Sequence, residues 1–191
     1  MNIAIIDNQT DCLPQIENMC QNIGADTAIL HPENISLLNP LQFDLALLSG
    51  GIWYENESQQ YAHYGRELYL IIHSGLPVVG ICLGMLLIIA TFGGSIDNLE
   101  HRSLGPKNIH LNQTGQQNLP HTSSTINVFE NHSKSSFTLP DELEVWAESE
   151  DGAEIISHKN MPLIGVQFHP EQSRDPAAMQ IWHSLIDNVT S

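Results

Sequence analysis

Leu76-Pro77-Val78-Val79-Gly80-Ile81-Cys82-Leu83-Gly84-Met85-Leu86-Leu87-Ile88-Ile89-Ala90 is the stretch that decides how this chain reads. The apolar run Leu76–Val79 has the length of a buried parallel strand, and Met85–Ala90 reads as a buried helix. Between them Cys82 stands in Gly80-Ile81-Cys82-Leu83-Gly84. A small nucleophile between two glycines at a strand-to-helix junction is the sequence form of a nucleophile elbow. The glycines let the backbone turn sharply and pack without Cβ clashes. Such a turn lifts the thiol above the sheet and sets it at a helix N-terminus, where the dipole favours thiolate. Taken alone, the pentapeptide also fits an inert core cysteine beside two packing glycines.

A second cluster, Gly165-Val166-Gln167-Phe168-His169-Pro170-Glu171, supplies the partners that such a thiol needs. Its first residues read as a strand, which Pro170 stops directly after His169. A histidine at the C-terminal end of a strand can face the crevice where open α/β sheets bind ligands. Glu171, two residues on, is close enough to hold the imidazole in one tautomer. Cys82, His169 and Glu171 then make nucleophile, base and orienter.

With these two blocks the chain resembles the class I, triad-type glutamine amidotransferase domains of the stand-alone glutaminase-subunit kind, from Ile3 to about Ile186. The resemblance implies that the cysteine attacks the side-chain amide of glutamine, that ammonia leaves, and that a glutamyl thioester is hydrolysed. A third block agrees: Asp44–Leu48 ends at Ser49-Gly50-Gly51 and resembles the family's oxyanion loop. The resemblance places the oxyanion-hole donors on the N–H groups of Gly51 and Leu83, with Gly50 beside the substrate. On its own, Ser49-Gly50-Gly51 is an ordinary strand-ending turn. Asn131-His132-Ser133-Lys134 resembles the segment whose backbone grips the amino-acid head of glutamine, which makes Asn131, Ser133 and Lys134 substrate contacts. It also reads as a strand-ending turn carrying a surface His132.

Two positions depart from the family's pattern. Leu86 stands where the family commonly has a pocket-lining glutamine, so a donor and an acceptor are lost. A buried substrate group left unpaired there would cost about 1–3 kcal/mol. Ile52-Trp53 replaces proline followed by a small or acidic residue, and Trp53 with Tyr54 would reshape the pocket rim.

Composition narrows the partners. The chain has 191 residues, enough for one domain with a sizeable core. Six Lys and Arg against 22 Asp and Glu give a formal net charge of −16. Nucleic acid and anionic membrane surfaces both call for a basic footprint, so neither is an expected partner. Cys12, Cys20 and Cys82 are too few and too irregular for a disulfide framework. No signal peptide or membrane span is legible, and a reducing cytoplasm suits a catalytic thiol. The ten histidines show no zinc-type spacing and Gly93-Gly94 lacks a phosphate-loop context, so no metal or cofactor is expected.

The first half alternates strand and helix: Asn2–Ile6, helix Leu13–Ile23 closed by Gly24, Ala25–Leu30, Asp44–Leu48, and a helical face over Ser58–His73 with Tyr61, Tyr64, Leu68, Ile71 and Ile72. After Gly94 the segments are short and turn-bounded: Asn108–Leu111, Thr125–Phe129, Leu143–Glu148 and Ala153–Ser157. Thr114–Asn118 reads as a polar, mobile loop. Asp175-Pro176 opens a last helix with Met179, Trp182, Leu185, Ile186 and Val189 on its apolar face. The expected fold is one α/β domain over residues 1–191. It has a mostly parallel central sheet with helices on both faces and an antiparallel extension in the second half. By resemblance that is the flavodoxin-like architecture of the class I amidotransferases.

Two function classes follow. One is an ammonia-generating glutaminase serving a synthase on another chain. Leu104-Gly105-Pro106 resembles the component of guanylate synthesis, and His132-Ser133 with Asp151-Gly152 those of anthranilate or aminodeoxychorismate synthesis. The other is a self-contained cysteine hydrolase of γ-glutamyl amides or peptides, which Leu86 and Trp53 favour. A non-catalytic relative is disfavoured by the intact Cys82, His169 and Glu171.

Overall fold

The computed structural model describes residues 1–32, 34, 39–53, 64 and 72–191. Its first half places β1 (Asn2–Ile6), α1 (Leu13–Asn22), β2 (Asp26–Leu30), β3 (Leu45–Leu48), β4 (Val78–Ile81) and α2 (Leu83–Thr91). The second half adds β5 (Asp97–Leu111), α3 (Gln113–Asn118), β6 (Thr125–Ser135), β7 (Leu143–Ser149), β8 (Gly152–His158), β9 (Leu163–Val166) and α4 (Pro176–Val189). The nine strands form one sheet in the order β2-β1-β3-β4-β9-β8-β7-β5-β6. Pairing is parallel from β2 through β9 and antiparallel from β9 to β6.

Strand alternation shows why both faces need cover. Ile3, Ile5, Leu45, Leu47, Val79 and Ile81 point to one side, where Ile16, Met19 and Cys20 of α1 and Ile181, Trp182 and Leu185 of α4 pack. Ala4, Ile6, Ala46, Leu48 and Val78 point to the other side, under Leu83 and Met85–Ile89 of α2. A parallel sheet made of such continuously apolar strands is stable only with helices on both faces. The ends of α4 follow the expected capping: the Asp175 carboxylate accepts the Ala177 N–H at 2.9 Å. Among the described residues no helix is long and apolar enough to cross a membrane.

Three expectations are corrected. Of the four short strands foreseen after Gly94 two are far longer, β5 with 15 residues and β6 with 11. β5 pairs with β6 over most of its length and with β7 only at His110 and Leu111, so the two make a ribbon largely off the sheet. Much of β5 lacks a buried face, which hides its extent from apolar alternation. Thr114–Asn118 is not a mobile loop but lies in α3. There the Asn112 side chain accepts the Gly115 N–H at 2.9 Å, and Gly115 is pressed against the Trp146 carbonyl. Asn131–Lys134 is not a strand-ending turn but part of β6, and His132 is buried there. Of the helix foreseen over Ser58–His73, Tyr64 and Ile72 are buried and described. Tyr61, Leu68, Ile71 and the rim residue Tyr54 lie outside the described residues.

Candidate active site

β4 ends at Ile81, and α2 starts one residue after Cys82. Cys82 has φ 49° and ψ −104°, a backbone state that costs a side-chain-bearing residue about 1–3 kcal/mol. The neighbours hold it there. Its N–H donates to the Val166 carbonyl at 2.7 Å, and its own carbonyl accepts the Leu86 N–H at 3.1 Å. The flanking glycines permit the turn by close approach. A Cβ on Gly80 would lie 2.5 Å from the Gly84 carbonyl carbon, and one on Gly84 would lie 2.5 Å from the Leu48 oxygen. The thiol thus sits at the N-terminus of α2, on the positive end of its dipole.

His169 lies three residues past the end of β9, as the cap of a 3-10 turn over Pro170–Gln172. Its N–H donates to Phe129 of β6 at 2.8 Å, which fixes its backbone. His169 Nδ1 is 2.7 Å from Glu171 Oε1, and both side chains are almost wholly buried. Burial alone would lower the imidazole pKa, but the Cys82 sulfur and the Glu171 carboxylate outweigh it and push it up to about 11. His169 Nε2 is buried and makes no hydrogen bond within the described residues. By contrast, burial and the Glu171 charge raise the Cys12 pKa, and burial lifts Cys20 to about 12.

The loop after β3 closes the other side. Ser49 is fully buried; its hydroxyl accepts the Asn8 N–H, and its carbonyl accepts from the Asn8 side chain, both at 2.9 Å. A Cβ on Gly51 would lie 2.1 Å from the Asn8 oxygen, and one on Gly50 would lie 3.3 Å from the His169 ring. Only glycines let the loop pass so close. The site therefore stands at the C-terminal ends of β1, β3, β4 and β9, beside the point where strand order reverses about β1.

A cleft of about 340 Å³ opens there, lined by Gly51, Ile52, Trp53, Cys82, Leu83 and Leu86 on one side. Arg102 from β5 and Asn131, His132, Ser133 and Lys134 from β6 line the other side. Of the residues expected at the site, Gly51, Trp53, Cys82, Leu83, Leu86, Asn131, Ser133 and Lys134 line this cleft, Gly50 and His169 lie beside Cys82, and Glu171 is bonded to His169. A larger groove of about 770 Å³ runs along β5 from Asn98 to Lys107 but holds no nucleophile.

Several site residues escaped the sequence reading. Arg102 and Asn8 carry no local pattern. Gln167 lay inside a recognised block, yet its amide N–H pointing at the Cys82 sulfur from 3.7 Å needs the fold to be seen. Glu130 and His132 of β6 and Glu154 of β8 place ligand atoms within 4.8 Å of one another, all buried. His132 Nδ1 is 2.8 Å from the Lys134 carbonyl, which can only accept, so Nδ1 carries a hydrogen. In the neutral ring Nε2 would then face Glu130 Oε2 at 3.0 Å lone pair to lone pair, so a proton or a cation is needed between them. Burial and the Glu130 charge push the Glu154 carboxyl well above its usual range, while the Ser149 hydroxyl, which donates to Glu154 Oε1 at 2.6 Å, pulls the other way. One imidazole and two carboxyl groups could also hold a borderline divalent cation.

Comparison with known proteins bears on the family and the fold. The family profile described as glutamine amidotransferase class-I matches residues 4–188. The glutamine-hydrolyzing GMP synthase subunit of Methanobrevibacter smithii is 27% identical over 193 residues, covering 98% of this chain and 95% of that one. The protein of the same description from Pyrococcus abyssi is 30% identical over 176 residues, 88% of each. A solved structure from Thermoplasma acidophilum superposes with a TM-score of 0.84 at 26% identity, over 99% of this chain and 94% of the other.

Proposed function

The chain belongs to the class-I glutamine amidotransferases, and from that premise we propose that residues 1–191 act as one glutaminase unit, with Cys82, His169 and Glu171 as its catalytic groups. It supplies ammonia to a synthase on a separate chain. The relatives that match nearly its full length are glutamine-hydrolyzing GMP synthase subunits, so the proposed acceptor reaction is the amination step of GMP synthesis. The observation that carries the reading is His169 held between the Cys82 sulfur and the Glu171 carboxylate.

In this mechanism the Cys82 thiolate attacks the carboxamide carbon of glutamine. The oxygen that becomes negative is met by the N–H groups of Gly51 and Leu83. Leu83 opens α2, and the first N–H groups of a helix have no acceptor within it. His169 gives its proton to the departing nitrogen, ammonia leaves, and a glutamyl thioester remains on Cys82. His169 then takes a proton from water, which attacks the thioester and releases glutamate. Glu171 keeps the ring oriented through Nδ1. Gly50, Asn131, Ser133 and Lys134 border the substrate head. Three free cysteines suit a reducing, cytoplasmic setting.

The test joins the purified chain to its cognate synthase. GMP formation should run on either glutamine or ammonium salts. Cys82→Ala should abolish the glutamine-driven reaction and spare the ammonium-driven one. A synthase that works with ammonium but draws nothing from this chain plus glutamine would overturn the partner assignment.

Leu86 on the cleft wall favours a second reading, hydrolysis of larger γ-glutamyl amides or peptides without a partner. Release of ammonia or amine from such compounds by the chain alone, faster than from glutamine, would support it.

A further inference from the structure

In a chain with 22 acidic and six basic side chains, two of the six cations stand on one small cleft. Among the described residues lining this cleft none is acidic, although Arg102 also borders the groove along β5, where Glu100, Glu150 and Asp151 stand. The two cations differ. Lys134 is 9% exposed, and its ammonium donates to Asn98 Oδ1 at 2.6 Å. Arg102 is exposed and braced by one neighbour: its Nε lies 3.1 Å from Asn131 Oδ1, and its Nη2 contacts the same oxygen.

That brace uses one edge of the guanidinium. The opposite edge, Nη1 with the second hydrogen of Nη2, has no partner among the described residues. A guanidinium pinned on one side and free on the other presents a rigid two-hydrogen fork, the shape that matches a carboxylate. On the facing wall of the cleft Leu86, Ile52 and Trp53 offer no hydrogen-bond acceptor to an ammonium group; Asn131 Oδ1 is already taken by Arg102, which leaves the Ser133 hydroxyl.

We propose that Arg102 is the specificity-determining residue of this cleft, its free edge taking the carboxylate of the substrate's head. The cleft then selects γ-amides of free carboxylic acids, and the α-ammonium of glutamine is dispensable. The assignment rests on Cys82 being the nucleophile of the same cleft. It adds what that reading leaves open, namely which end of the zwitterion is recognised.

Three chloromethyl ketones test it on the full chain: the glutamine isostere, its des-amino counterpart and its α-carboxamide. Each forms a Cys82 thioether with loss of chloride, and the rates are read by mass spectrometry after normalisation to the reaction with glutathione. Iodoacetamide reports the bare reactivity of the thiol. The first two probes should label Cys82 within about threefold of each other, and the α-carboxamide roughly 10- to 100-fold more slowly. Arg102→Gln should bring both carboxylate probes down to the carboxamide's rate, each rate taken relative to the same variant's reaction with iodoacetamide. Arg102→Lys, which keeps the charge without the fork, should fall between. A des-amino probe more than tenfold slower than the amino probe overturns the proposal, as does Arg102→Gln with wild-type selectivity. If no ketone labels Cys82 in preference to Cys12 and Cys20, the nucleophile assignment itself fails, and the proposal with it.

Discussion

Without the Cys82 sulfur, His169 loses one of the two neighbours that keep it charged. Burial pulls its pKa down, and Cys82 together with Glu171 lifts it to about 11. In Cys82→Ala the ring should therefore titrate at lower pH, which NMR of the imidazole protons would follow. The sign for stability is fixed by the raised value. The contribution of His169 is fully present below its ordinary value of 6.5 and is lost as pH rises through about 11. In the variant that loss should be smaller and complete at lower pH, measurable as urea midpoints against pH. An unchanged titration would mean that the sulfur does not touch the ring electrostatically. At this scale Cys82, His169 and Glu171 were legible because glycines and a proline punctuate them. Arg102 and Asn8 were not, since each acts from one position whose neighbours in space come from other strands.

The seat of α2 on β3 depends on a missing side chain. Gly84→Ala would put a Cβ 2.5 Å from the Leu48 carbonyl oxygen, and backbone cannot yield as a flexible side chain can. The expected loss is about 1–3 kcal/mol of unfolding free energy, with slower alkylation of Cys82 as the helix N-terminus shifts. A variant with wild-type stability and reactivity would show that the helix tolerates standing further off. In the parallel half β1, β3 and β4 were legible because strands buried on both faces read as continuous apolar runs. The ribbon of β5 and β6 was not, because most of β5 is solvent-facing and its partner is set by chain reversal rather than by pattern. α3 was hidden for a related reason: its six residues are polar, and one side-chain cap with one backbone contact hold it in place.

Over the whole molecule, the buried Glu130 and His132 of the ribbon and Glu154 of β8 come within 4.8 Å of one another. Glu154 has a raised pKa, from burial first and the Glu130 charge second. Stability from it is complete below the ordinary carboxylate value and declines as pH rises toward the elevated one. Glu154→Gln should remove that decline, so the variant should lose less stability than wild type between weakly acidic and alkaline pH in thermal melts. Identical pH profiles for the two proteins would place the proton elsewhere. Both the parallel core and its antiparallel extension were foreseen, whereas strand order was not, because it is settled by contacts far apart in sequence. The pairing of β4 with β9 is the longest-range of these, and it is what brings Cys82 beside His169. During synthesis the two leave the ribosome roughly 90 residues apart, which at ~5–20 residues per second is roughly 5–18 s. For that interval Cys82 stands without His169 and Glu171. The growing chain therefore cannot assemble the proposed triad until β9 and the turn after it have left the ribosome and β9 has paired with β4.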